Sequence, residues 1–326
     1  MNRRTAIATI AGSTIALTDC NKERDDSMNA VHDIDSYARP AQVRVKHCSL
    51  DLTADFHQQT LAGTAGLRLL ITDPKAPLVL DTRDLHVEEV RCGKYQDGAP
   101  STSYPLAKFT LGNPDPILGS PLTIELASGA DYVLIRYASR REASGLQWLM
   151  PQQTAGKRHP FLYSQNESIH ARSWIPIQDT PSVRLTYDAA IRIPARYGNA
   201  LTAVMSADHQ RSNDGAFRFN MELPIPSYLI ALAIGELHFV ETGPRSGVYA
   251  EPPILNSAAR EFADTEKLIE AVEDLYGPYR WGRYDLLILP PSFPFGGMEN
   301  PRLTFVTPTV IAGDGSLVSL ISHELA

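Results

Sequence analysis

The chain has 326 residues, 43% hydrophobic and 21% charged, which is length for two globular domains and too apolar for a disordered protein. Its formal net charge of −7, with no basic run to offset it, excludes nucleic acid as the main partner, because phosphate neutralisation needs clustered Lys and Arg. No apolar stretch reaches the ~20 residues that a bilayer-spanning helix needs.

Residues 1–20 lay out as a bacterial-type export signal, with Arg3 and Arg4, an apolar run from Ala6 to Leu17, then Cys20. Leu17-Thr18-Asp19-Cys20 is similar to a lipoprotein box, with Asp19 where a small residue is usual; a plain secretory signal is the alternative. The expected location is the periplasm, or the bacterial envelope through a lipid anchor on Cys20, rather than the cytoplasm. Residues 21–36 read as a linker. Cys48 and Cys92 can pair in an oxidising compartment or remain two buried thiols.

From Val43 to Leu223 the chain is a series of short alternating runs, among them VRVKHCSLDL, YVLIRY, VRLTYDAAIRI and FRFNMEL, broken by turn residues. Period two with one apolar face predicts antiparallel strands in a sandwich or a large curved sheet, with no helix of any length. The texture changes near Leu237, so the boundary is set at residue 236. AREFADTEKLIEAVEDLYGPY has helical spacing through Phe262, Ile269, Val272, Leu275 and Tyr276, and stops at Gly277-Pro278. The strands YDLLILP and LTFVTP follow, with the Pro/Gly-rich PSFPFGGMENP between them. A last helix, SLVSLISHELA, is expected to be capped by Asp314 or Ser316 and to turn Leu317, Leu320 and Ile321 inward.

That helix carries His323-Glu324, half of an H-E-x-x-H pattern. In the complete pattern two histidines at i and i+4 share a helix face and one zinc, while the glutamate takes the proton of the attacking water. Alone, a His-Glu pair is as well explained by a solvated helix face. Gly296-Gly297 allows close backbone approach, and Glu299 sets a carboxylate in otherwise apolar surroundings.

Gly296-Gly297-Met298-Glu299-Asn300 matches G-x-M-E-N, and His323 follows Glu299 by 24 positions (323 − 299). With these two motifs in order, the chain resembles the zinc aminopeptidases that include aminopeptidase N and leukotriene hydrolase. SQNESIHARSWIPIQDTPSVRLTY and PIPSYLIALAIGEL are similar to the leukotriene-hydrolase branch, and the resemblance runs from about Tyr37 to Ala326. It implies a β-rich, saddle-like N-terminal domain over 37–236, then the start of an α+β, thermolysin-like zinc peptidase domain over 237–326, truncated inside H-E-x-x-H.

The resemblance also assigns roles. Glu299 would hold the α-amino group of a small peptide with a free N-terminus, helped by Gln165 and Glu167 from SQNES. Gly296, Gly297 and Met298 would supply backbone and shape beside the scissile bond, and Phe295 would line the pocket. His323 would be the first ligand of a single zinc ion and Glu324 the general base. The remaining ligands would lie beyond residue 326, so the expected activity belongs to a longer protein. His170 is left as a structural hydrogen-bonder. The alternatives are a non-catalytic module that binds peptide N-termini, and an epoxide hydrolase of the leukotriene-hydrolase type, which Glu167 and Phe295 disfavour.

Overall fold

Alternation makes Val43–Asp55 an edge-to-centre organiser: every second side chain from Val43 to Ala54 is buried, apart from a shift between Val45 and His47. The computed structural model describes residues 33–211 and 215–326. The export-like segment 1–20, Cys20 and most of the linker lie outside the described residues. Of the linker, residues 33–36 form a turn in which the buried Ser36 hydroxyl donates to Asp81 at 2.6 Å.

Val43–Asp55 sits in a seven-stranded sheet. The order is Asp208–Arg211, Phe217–Pro226, Arg184–Arg192, Val43–Asp55, Thr60–Ile71, Tyr132–Ala138 and His86–Gly93. All neighbours are antiparallel except Val43–Asp55 with Arg184–Arg192, which are parallel. The expectation of a purely antiparallel β region therefore fails at this pair, whose partners are more than a hundred residues apart and need no hairpin. A four-stranded sheet (Thr202–Met205, Leu232–Gly235, Phe161–Ser164, Leu146–Leu149) and a three-stranded one complete the region.

The register also settles the cysteines. Cys48 lies opposite Leu67, Leu67 opposite Val133, and Val133 opposite Cys92. Two strands stand between the thiols, which at ~4.8 Å per strand is roughly 14 Å, about twice the reach of a disulfide. Both are buried free thiols, and burial pushes the Cys48 thiol far above its ordinary range. Alkylation of unreduced, denatured protein should label both Cys48 and Cys92 in peptide mapping; a linked pair of peptides would overturn this.

After Gly235 the chain enters a five-stranded sheet, ordered His238–Glu241, Ser246–Ala250, Tyr284–Ile288, Leu303–Val306 and Gly297–Met298. Ser246–Ala250, Tyr284–Ile288 and Leu303–Val306 are parallel, with helices α1 (Pro252–Glu261) and α2 (Thr265–Tyr276) in the first crossover. Leu286, Ile288 and Val306 face the helices, while Leu287, Leu289 and Phe305 join the core of the β region. Burial on both faces explains the unbroken apolar run of YDLLILP. It also locks this sheet onto the β region.

The expected single helix ending at Gly277 is two helices. Phe262 turns into the core, and the Thr265 hydroxyl donates to its carbonyl at 2.7 Å, ending α1 and starting α2. Leu268, Ile269 and Val272 are the inward face of α2, whereas Leu275 and Tyr276 are 75% and 73% exposed, contrary to their spacing. Gly277, at φ 90°, makes the stop where expected. Helix α3 spans Val318–Leu325 with Leu317 as its N-cap, and Leu317 is exposed. Neither Asp314 nor Ser316 caps it, because the Asp314 carboxylate instead accepts the Ser316 amide at 3.0 Å in a local turn.

Candidate active site

Gly297 and Met298 pair with Val306 and Phe305, and the Thr307 amide donates to the Gly296 carbonyl at 3.0 Å. This fixes the glycine pair as a short edge strand, and α3 lies against it. Leu320 and Glu324, at i and i+4, share the face that does so. A Cβ on Gly296 would meet the Leu320 methyls, and a Cβ on Gly297 would overlap the Glu324 carboxylate. The close approach that the glycines permit is therefore to α3. His323, beside that face, is exposed, and Ile321 and Leu325 point into the core.

Met298 is 2% exposed, and the Gln165 side-chain amide donates to its sulfur at 3.3 Å. That contact joins the β region to the glycine strand. The Met298 side chain is thus a support beneath Gln165. The oxygen of the same amide, Oε1, is buried and has no partner among the described residues. An acceptor left in that state costs about 1–3 kcal/mol unless a ligand satisfies it.

The loop 165–170 is well held. Asn166 accepts from the Trp174 indole at 2.8 Å and donates to the Ile230 carbonyl at 2.6 Å, while the His170 amide donates to the Asn166 carbonyl at 2.8 Å. Glu167 projects from this frame and is exposed. His170 Nδ1 accepts from Arg83 at 3.0 Å and contacts Ser144 Oγ at 2.8 Å, the structural role expected of it. Burial, then the Arg83 charge, holds its imidazole below the ordinary value and so neutral.

Glu299 and Glu324 come together with Glu167. Burial and then the negative field of Glu299 push the Glu324 carboxyl above its ordinary value; His323 opposes this and Glu167 adds to it. Tyr228 stands in the same field: burial first, then Glu299 and Glu167, raise its phenol. Sequence reasoning did not single out Tyr228. The available signal was its place in PIPSYLIAL, where both neighbours, Ser227 and Leu229, are buried and leave the tyrosine facing the other way.

A cleft of about 340 Å³ opens beside these groups, lined by Gln147, Tyr163, Gln165, Glu167, His170 and Phe295 among others. Phe295 is 50% exposed at its rim and packs edge-on against Phe293, which meets Tyr163 in the same way. The aromatic wall offers apolar contact; the acids offer a place for a cation. Among the described residues no group of three His, Cys, Asp or Glu side chains could hold a metal ion. Catalytic zinc normally takes three protein ligands. The residues present, with one imidazole at His323, do not by themselves fit such an ion.

The site therefore combines a helix glutamate backed by a glycine strand, further acids in its electrostatic reach, and a cleft with an aromatic wall. The chain matches the Peptidase M1 N-terminal domain over residues 44–229 and the Peptidase family M1 domain over residues 260–326. It belongs to the M1 peptidase family. It is 44% identical over 307 residues to leukotriene A-4 hydrolase of Xenopus laevis, covering 90% of this chain and 48% of that protein. Over 299 residues it is 42% identical to aminopeptidase B of Mus musculus, covering 86% and 45%. The structure of yeast LTA4 hydrolase in complex with Bestatin superposes with a TM-score of 0.83 at 37% identity, over 93% of this chain and 46% of that one. The chain thus spans about half the length of the relatives it matches.

Proposed function

We propose that this chain is the N-terminal part of a zinc-dependent aminopeptidase that removes the first residue of small peptides. The observation that carries the reading is the seating of the Gly297–Met298 strand between Glu324 on one side and Gln165 on the other, with Glu299 and Glu167 in the electrostatic reach of Glu324. Carboxylates gathered in one place suit a substrate ammonium. Glu299 and Glu167 hold that ammonium, and the orphaned Gln165 oxygen accepts a hydrogen bond from one of its N–H groups. Glu324, its proton affinity raised by burial, takes the proton of the attacking water. Phe295 and Tyr163 flank the first side chain. His323 is one zinc ligand, and the ligands that complete the set come from a longer product, so this chain alone is inactive.

Two measurements test it. The natural protein should release the N-terminal residue of leucine p-nitroanilide in a chelator-sensitive manner, and Glu299→Ala should lower kcat/KM by on the order of 10²-fold or more, the loss typical when a charged anchor disappears. Full activity in that variant would refute the amine-anchor role. The 326-residue chain by itself should hold well under one zinc at micromolar free metal in equilibrium dialysis. Stoichiometric, tight zinc in this chain would show that its own residues complete the site.

A further inference from the structure

Arg302 stands in the turn between Gly297–Met298 and Leu303–Val306 with φ 69°, a left-handed conformation that a non-glycine residue adopts rarely and under strain. A glycine would relieve that strain, so the reason for an arginine there must lie in its side chain. The guanidinium is almost wholly buried, at 7% exposure. Nε donates to the Trp281 carbonyl at 2.6 Å, and Nη1 and Nη2 donate to the two Glu222 oxygens at 3.0 and 2.5 Å. Nη1 also lies 3.0 Å from an Asp208 oxygen.

Asp208 and Glu222 belong to adjacent strands of the seven-stranded sheet, whereas Trp281 and Arg302 belong to the segment that builds the five-stranded one. One side chain therefore crosses the seam between the β region and the peptidase segment. Along the chain the link to Glu299 is short and stiff. The Asn300 amide donates to the Met298 carbonyl at 2.9 Å, the Leu303 amide donates to the Asn300 carbonyl at 3.1 Å, and Asn300 and Pro301 are buried. Gln165 and Glu167 come from the β region and Glu299 from the other side of the seam, so the proposed amine pocket is only as well defined as the seam is fixed.

We propose that Arg302 is a positioning residue, an ionic clasp that sets the distance between the two halves of the amine-binding pocket. The inference rests on the aminopeptidase reading for its catalytic consequence, but not for the clasp itself. The pull on Glu222, whose carboxyl Arg302 holds below the ordinary range, accords with a contact that persists at neutral pH.

R302G tests it, because glycine accepts the turn's backbone without strain and removes only the clasp. In this chain, the backbone amides of residues 297–300, 302 and 303 should exchange at least about tenfold faster in R302G, with the rest of the molecule unchanged. In the natural protein, KM for leucine p-nitroanilide should rise roughly tenfold with kcat altered less than about threefold, since a loosened pocket weakens binding of the amine. E222Q should move both readouts the same way by less, and R302K, which keeps the charge and loses the fork, should recover part of each. Unchanged exchange of those amides in R302G overturns the proposal. So does a loss spread evenly over the molecule with a lowered melting temperature and no KM effect of its own, which would make Arg302 a folding residue only. If the unsubstituted natural protein hydrolyses no aminoacyl amide, the aminopeptidase reading fails separately, and the exchange result still decides the clasp.

Discussion

Gly297→Ala is expected to lower kcat/KM of the proposed peptidase by roughly 10²- to 10³-fold while the protein still folds. A methyl group at 297 overlaps the carboxylate, Cδ and Cγ of Glu324, so the side chain must leave its place. A general base contributes about 10²–10⁴ to rate, and misplacement by ~1 Å can remove 10² of it. The fold survives because Glu324 is only half-buried and has solvent to move into. Gly296→Ala should cost less than Gly297→Ala, because its Cβ would meet Leu320 methyls at 3.3 and 3.4 Å, the far end of a flexible side chain that can give, and would leave Glu324 in place. Steady-state kinetics on both variants checks this. If Gly297→Ala is as active as the parent, Glu324 is not the base, or it works from another position.

What the sequence made legible, and what it hid, follows from the range of the interactions. The strands at 43–52, 132–137 and 217–223 declare themselves because alternation is a local property of a half-buried sheet. Thr60–Ile71 did not, since one of its faces carries small residues: Gly66, for instance, leaves room for the Tyr132 hydroxyl. The break between α1 and α2 was invisible because it depends on Phe262 finding a core assembled from other strands. In the site, Glu299, Glu324 and the glycine pair could be found from residue type and spacing, as could Gln165 and Glu167 through resemblance. Arg302 could not: its partner Glu222 is 80 residues away, and nothing in MENPRL announces it. Tyr228 was hidden for the same reason, its charges lying on two other segments.

Arg172→Met is expected to destabilise the protein by about 3–5 kcal/mol, the cost of leaving a buried charge without its partner. Arg172 and both its acidic neighbours are fully buried: Nε donates to Asp179 at 3.0 Å, and Asp81 lies 4.0 Å from Nη1. The remaining donors reach the Leu118, Asp35 and Asp179 carbonyls at 2.8–2.9 Å, so one guanidinium ties together segments far apart in sequence. Arg172→Lys keeps the charge but cannot serve this many acceptors, and its loss should be smaller yet substantial. The pH dependence has a definite sign. Burial already raises the Asp81 carboxyl and Arg172 is the leading opposing influence, so without it the folded-state value climbs further. A carboxyl raised in the folded state contributes stability that is present at low pH and lost as pH rises through the folded value. The deficit of Arg172→Met in urea denaturation should therefore widen as pH rises above the ordinary carboxylate range, and a deficit that is absent or independent of pH would remove the charge argument. The consequence also reaches the site, because the turn Ala171–Ser173 continues directly from the loop bearing Gln165 and Glu167, and the Ser173 hydroxyl donates to the His170 carbonyl at 2.7 Å. Weakening Arg172 loosens the frame that aims those two side chains, so Arg172→Lys should raise KM for an aminoacyl amide at temperatures well below its melting point.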